Sequence, residues 1–216
     1  MSDTNLSTQD FFEAGLDSEE IYPGVFVVND FLTSEDIKIL SDQFSSMTHD
    51  DWTSQYTASL YEFIKNQYGV DTFEEAQELG YRIEIDNNWV DKNALIQDQN
   101  LIGRLNTKLG AVFKSHSDLE FNGIGSVQRQ YEGVYLNEHV DSESNPLVRY
   151  ACVIYVNDDF TGGELNFPLI ELKYRPVAGS LIVFPSSSEF LHGVLPVGPG
   201  PTRYALPAFI NKKEAA

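Results

Sequence analysis

The sequence predicts a mainly β protein of the α+β class: a double-sheet jelly roll, or double-stranded β-helix, buttressed by N-terminal helices. Two observations predict it. Beyond Gly123 and Gly125 the chain breaks into eight short runs of strand-forming residues separated by glycine and proline, the texture of antiparallel double sheets. Ahead of those glycines, apolar residues recur mostly at helical spacing behind cap signals. A chain of 216 residues is long enough to bury a sizeable core as one unit. The expected organisation is an acidic tail over residues 1–20 and a single domain over 21–216. Within that domain, 21–120 supply helical support and 121–210 the jelly roll.

In chain order, residues 1–20 are polar and acidic apart from a few apolar side chains such as Phe11 and Phe12, and are expected to form a tail that docks late. Residues 25–28, Val-Phe-Val-Val, make a short apolar strand opened by Pro23 and Gly24. Thr33 is a good N-cap, with Asp36 at the third helical position and a staple between Leu32 and Ile37. Ile37, Leu40 and Phe44 mark the buried face of that helix. A second helical pattern runs through Leu60, Phe63, Ile64 and Tyr68. Thr72 and Glu75 form a capping box ahead of Phe73, Ala76 and Leu79, and Tyr81, Ile83 and Ile85 alternate as a half-exposed strand. Leu101, Leu105, Leu109 and Val112 place the longest helix over 92–114. The eight later strands are expected at 126–131, 135–139, 147–157, 164–167, 170–175, 180–184, 190–197 and 203–210.

The charge balance narrows the partners. Fourteen Lys and Arg against 33 Asp and Glu give a net charge of -19, which argues against a nucleic-acid backbone as partner. The N-terminus has neither the basic patch nor the apolar core of a signal peptide, and no apolar run reaches bilayer length. The single cysteine, Cys152, excludes an internal disulfide and suits a reducing compartment. The expectation is a cytoplasmic protein without a membrane partner.

Three of the four histidines stand in a His-x-Asp pattern: His49, His116 and His139. The pattern comes cheaply in so acidic a chain, and context separates the three. His49 lies among polar loop residues, and His116 follows a helix end where a cation suits the dipole. Only His139, with Asp141, is embedded among strand-like segments. An imidazole and a carboxylate two residues apart suit one metal ion where a strand turns into a loop, with His192 as candidate third ligand. Two imidazoles and one carboxylate, with positions left open, is the donor set of non-haem Fe(II) oxygenases.

Residues 121–210 carry ordered pieces that together resemble a known family. They are Tyr131, Tyr135, His139 and Asp141; the run 149–157 from Arg149 through Tyr155; Gly162-Gly163-Glu164-Leu165; Gly179 through Phe184; His192-Gly193-Val194; and Arg203-Tyr204. In this order they resemble the 2-oxoglutarate- and Fe(II)-dependent dioxygenases, specifically the prolyl 4-hydroxylase-like branch. The run 23–32 is similar to that branch's N-terminal strand and helix entry.

The resemblance implies that His139, Asp141 and His192 bind Fe(II), and that 2-oxoglutarate and dioxygen occupy the open positions, with ascorbate as possible reductant. It implies that Arg203, eleven positions after His192, binds the distal carboxylate of 2-oxoglutarate, which a guanidinium matches in bidentate fashion. Much of the prolyl 4-hydroxylase group carries lysine there, whereas other branches use arginine. Tyr155 and Tyr131 match cosubstrate-facing tyrosines; a plain core aromatic is the alternative for each. Arg149 resembles an arginine at the pocket mouth and Tyr135 a substrate-side tyrosine; a solvated strand residue is the alternative for Arg149. Tyr135 falls one position further from the histidine than in many relatives.

The implied reaction is hydroxylation of a peptidyl residue, proline above all, with 2-oxoglutarate converted to succinate and CO2. A peptide or protein is the expected partner. The alternative substrate is a free amino acid or other small molecule, and the loop over 142–148 decides by leaving a groove or sealing the pocket. A non-catalytic jelly-roll binding module, or a cupin-like metal protein of other chemistry, is the remaining alternative. Nucleobase repair fits poorly, because the second arginine it requires would fall at Phe209.

Overall fold

The computed structural model describes residues 5–48, 51–52, 69, 75 and 93–213. The described helices are α1 (Thr8–Glu13), α2 (Ser34–Ser46), α3 (Gln99–Val112) and α4 (Asp141–Ser144). The described strands are β1 (Ser18–Tyr22), β2 (Val25–Val28), β3 (Asn93–Leu95), β4 (Leu119–Phe121), β5 (Ser126–Gln130) and β6 (Leu136–His139). After them come β7 (Val148–Tyr155), β8 (Leu165–Phe167), β9 (Leu172–Tyr174), β10 (Leu181–Pro185), β11 (His192–Val194) and β12 (Arg203–Lys212). Each of the eight runs expected beyond Gly125 is present as a strand.

The strands form a major sheet in the order β1-β2-β10-β7-β12-β5-β3, with β4 on the far part of β12, and a minor sheet in the order β6-β11-β8-β9. All pairings among the described strands are antiparallel, and from β5 to β12 the chain passes back and forth between the two sheets in the manner of a jelly roll, β8 and β9 alone following one another within the minor sheet. The major sheet is buried on both faces. On β2, Phe26 and Val28 join the core under the helices, whereas Val25 and Val27 join a second core between the sheets. Strands covered on both sides read as continuous apolar runs, which is the pattern of 25–28 and 181–184.

The helices cover the major sheet. The Thr33 hydroxyl accepts from the Asp36 amide at 3.1 Å, and the Asp36 carboxylate accepts from the Thr33 amide at 3.0 Å, so the capping box is complete. The second carboxylate oxygen of Asp36 accepts from Arg104 Nη2 at 2.8 Å, tying α2 to α3. Burial works against the Asp36 charge, but the bonds from Arg104 and Thr33 outweigh it and hold the carboxyl below its ordinary pKa.

Two expectations are corrected. The stretch 92–114 is not one helix: Asn93–Leu95 pairs with β5, and the Asp98 side chain accepts from the Leu101 amide at 2.9 Å, so the helix starts there. Residues 5–20, expected as part of a tail, belong to the fold. Phe11 is fully buried with its ring centroid 5.2 Å from that of Phe26, and the Leu6 amide donates to the Tyr150 hydroxyl at 3.2 Å. Asp10 of α1 meets His116 Nε2 at 3.0 Å and accepts from the Ser115 hydroxyl at 2.9 Å. His116 is therefore half of a buried contact that docks the N-terminus. The helical patterns at 60–79, the strand pattern at 81–85 and the His49 motif lie outside the described residues, Glu75 and Gly69 apart. Among the described residues no helix is long and apolar enough to cross a membrane.

Candidate active site

Strands β6 and β11 pair so that His139 stands opposite His192. Their ring centroids are 4.4 Å apart. Asp141 follows where β6 ends and α4 begins. One of its oxygens lies 3.5 Å from His139 Nε2 and the other 3.6 Å from His192 Nε2. Potential ligand atoms of the three residues all lie within 4.8 Å of one another. The spacing follows from sheet register: a cross-strand pair supplies the imidazoles, and the turn after the first supplies the carboxylate.

The ring orientations suit a cation. His139 Nδ1 faces the Asn137 carbonyl at 2.8 Å and His192 Nδ1 faces the Phe190 carbonyl at 3.0 Å. A carbonyl only accepts, so each Nδ1 carries a hydrogen and each Nε2, the atom free to ligate a metal, is turned toward Asp141. Burial pushes the His192 pKa down to about 4 against the pull of Asp141. At His139 burial also disfavours the charge, but Asp141 and the Asn137 carbonyl outweigh it and hold the pKa above its ordinary value. Asp141 Oδ2 is buried with no hydrogen-bond partner among the described residues, an expensive condition for a carboxylate oxygen that a metal ion would remove.

Arg203 opens β12 and is 1% exposed. Its Nε donates to the Gly163 carbonyl at 3.1 Å and its Nη1 to the Gln130 side-chain oxygen. Its guanidinium carbon lies 5.0 Å from the centre of the Tyr155 ring. Burial lowers its pKa, with Tyr155 opposing. Among the described residues no carboxylate forms an ion pair with it. The Tyr155 hydroxyl is buried beside Arg203 and makes no hydrogen bond of good geometry among the described residues, and burial raises its pKa against the pull of Arg203.

A cavity of about 100 Å³ joins the two ends, lined by His139, Asp141 and His192 together with Arg203 and walled by Phe184 and Leu165 among others. The structure thus brings together four of the residues expected from sequence, with Tyr155 beside the fourth. It does not bring Tyr131 or Tyr135 to this cavity: they are 42% and 41% exposed, and Tyr135 lines a separate open groove with Asn137 and Pro196. Arg149 lies on the same face of β7 as Ala151 and Val153, which line the cavity, but does not line it itself. Several lining or contacting residues were not expected. Gln128 and Phe209 line the cavity, and Gln130 contacts Arg203.

Residues 125–211 match the family model of the 2OG-Fe(II) oxygenase superfamily. That stretch is similar to the 2OG-Fe(II) oxygenase core. Solved structures share the fold of this oxygenase. Viral collagen prolyl hydroxylase from Paramecium Bursaria Chlorella virus-1, solved with 2OG, superposes with a TM-score of 0.59 at 16% identity over 88% of this chain and 97% of that one. A Pseudomonas putida prolyl-4-hydroxylase gives 0.54 at 18% identity over 88% and 94% of the two chains. A Trichoplax adhaerens prolyl hydroxylase, solved with a peptide fragment of the hypoxia inducible factor oxygen degradation domain, gives 0.54 at 18% identity over 88% and 84%. No curated protein matches the chain.

The enzyme is an oxidoreductase of the dioxygenase type, with Fe(II) and 2-oxoglutarate as its cofactors. Its site fits both. Two imidazoles and a carboxylate with an orphaned oxygen suit Fe(II), and a buried guanidinium without a counter-ion among the described residues suits a ligand bearing a carboxylate.

Proposed function

We propose that this oxygenase hydroxylates a peptidyl residue, proline before others, as a prolyl 4-hydroxylase-like enzyme. The observation that carries the reading is the placing of His139, Asp141 and His192 at one end of a cavity and an uncompensated, buried Arg203 at the other. In this reading the three ligands hold Fe(II) through His139 Nε2, His192 Nε2 and an Asp141 oxygen. Arg203 binds the distal carboxylate of 2-oxoglutarate, and the orphaned Tyr155 hydroxyl donates to the same group. Fe(II), 2-oxoglutarate and dioxygen supply the oxidising chemistry, 2-oxoglutarate leaving as succinate and CO2. The apolar walls Phe184, Leu165 and Val194 keep water from the reacting centre. Tyr131 has no part in this reading, being exposed. Arg149 is assigned to the substrate side, because its face of β7 continues that of Ala151 and Val153.

The mouth supports a peptide over an enclosed small molecule. The His139 side chain keeps 33% of its exposure, and Phe209 at the edge of the cavity is 37% exposed. In the stretch after Asp141, the residues Glu143, Asn145 and Pro146 are exposed. The peptide-bound Trichoplax relative supports the same choice.

The test is succinate release with Fe(II), 2-oxoglutarate and ascorbate, screened against a peptide library. The expected result is turnover stimulated by proline-containing peptides, with one oxygen added to the proline in the product's mass spectrum. Stimulation by a free amino acid and by no peptide would replace this reading with a small-molecule oxygenase.

A further inference from the structure

We infer that Gln130 is a positioning residue that aims the Arg203 guanidinium while leaving its charge uncompensated, and so sets the enzyme's preference for a 2-oxo acid with a second carboxylate. The inference rests on the proposed role of Arg203. Gln130 and Arg203 are register partners on β5 and β12. Both side chains are buried, at 5% and 1% exposure. A guanidinium only donates, so the amide must turn its oxygen to Arg203, and Nη1 donates to that oxygen.

Among the described residues, the hydrogen-bond and ring partners of Arg203 are all neutral: the Gln130 amide oxygen, the Gly163 carbonyl and the Tyr155 and Phe160 rings. That is unexpected in a chain with 33 acidic and 14 basic residues, since a buried arginine ordinarily gains a carboxylate partner. The cradle is built closely. A Cβ on Gly163, whose φ is +67°, would stand 3.0 Å from Arg203 Cδ. The position therefore favours glycine twice, by conformation and by space, and the Gly163 carbonyl reaches Nε as a result. Gln130 and Gly163 fix two of the three nitrogens without neutralising any. The charge is left for a ligand.

Gln130→Glu changes one neutral acceptor into a carboxylate of nearly the same shape. It should supply internally what 2-oxoglutarate supplies from outside. Calorimetric titrations of the Mn(II)-loaded protein, without oxygen, would compare 2-oxoglutarate with 2-oxobutanoate, a 2-oxo acid lacking the second carboxylate. The expected result is at least a tenfold loss of 2-oxoglutarate affinity, little change for 2-oxobutanoate, and a melting temperature in the absence of ligand that does not fall. Gln130→Met, which removes the acceptor and adds no charge, should weaken 2-oxoglutarate less and again spare 2-oxobutanoate. The inference is overturned if both variants weaken the two acids alike, or if neither alters their ratio. Arg203→Met separates this from the reading beneath it. If that variant keeps full 2-oxoglutarate affinity, the assignment of Arg203 itself is wrong; if it loses affinity while the Gln130 variants do not, only the inference fails.

Discussion

Arg203 shows how one side chain's surroundings decide its work. Its head is fixed by geometry rather than by charge, through Nε to Gly163 and Nη1 to Gln130. A lysine there would keep the charge but present a single point, with no fork to span both acceptors. The expected consequence of Arg203→Lys is a rise of about tenfold in the Kd for 2-oxoglutarate, equivalent to about 1.4 kcal/mol, with kcat at saturating cosubstrate changed much less. Calorimetry and a KM determination check it, and an unchanged Kd would show that charge alone holds the cosubstrate. The clustering of His139, Asp141 and His192 was legible in sequence because His139 and Asp141 lie close together and His192 opens a later strand. Gln130 was not legible. Inward and outward positions on β5 alternate, and the polar run Gln128-Arg129-Gln130-Tyr131 gives hydropathy no means of telling which phase faces in. A shift of one residue exchanges Tyr131 for Gln130, and tyrosine is the residue that resemblance favours.

At the scale of elements, the helices are attached through carboxylates as well as through apolar faces. Asp36 caps α2 and accepts from Arg104 on α3; Asp10 on α1 accepts from Ser115 and meets His116 beyond α3. The sign of the pH effect follows for Asp36. Its folded pKa lies below the unfolded value, because its bonds outweigh burial. The stabilisation is therefore complete above the unfolded pKa of roughly 4 and is lost as pH falls through the lower folded value. Asp36→Asn should cost about 1–3 kcal/mol at neutral pH, from a weakened cap and the lost charged partner of Arg104. The gap between variant and wild type in urea unfolding should narrow as the pH drops below about 4. A gap that stays constant with pH would remove the charge from the explanation. The strands of the jelly roll were read from sequence with small errors at their ends, because glycine and proline punctuate them. The docking of α1 was not, since Phe11 and Phe12 are adjacent and only the fold decides that Phe11 is fully buried while Phe12 is 74% exposed. Strand β3 was absorbed into a helix because three residues carry too little periodicity to oppose the long pattern that follows.

The whole molecule divides its site between two sheets of unequal strength. The major sheet holds strands of up to ten residues and is covered on both faces. The minor sheet has four strands of three or four residues each, too little pairing to persist without the core it shares with its partner. His139 and His192 belong to the minor sheet and Arg203 to the major one. A metal ion alone joins β6 to β11 within one sheet. A cosubstrate reaching from that metal to Arg203 would fasten one sheet to the other. Amide hydrogen exchange should register the difference. Mn(II) alone should slow exchange in β6 and β11, and adding 2-oxoglutarate at about 100 times its Kd should extend protection to β8. The slowing should approach 100-fold where local opening governs exchange, about 2.7 kcal/mol. Amides of α2 and α3 that open by local fraying should change little, since no ligand touches them. If the metal alone gives the full protection, or if Arg203→Met retains the protection added by 2-oxoglutarate, then the cosubstrate does not bridge the sheets.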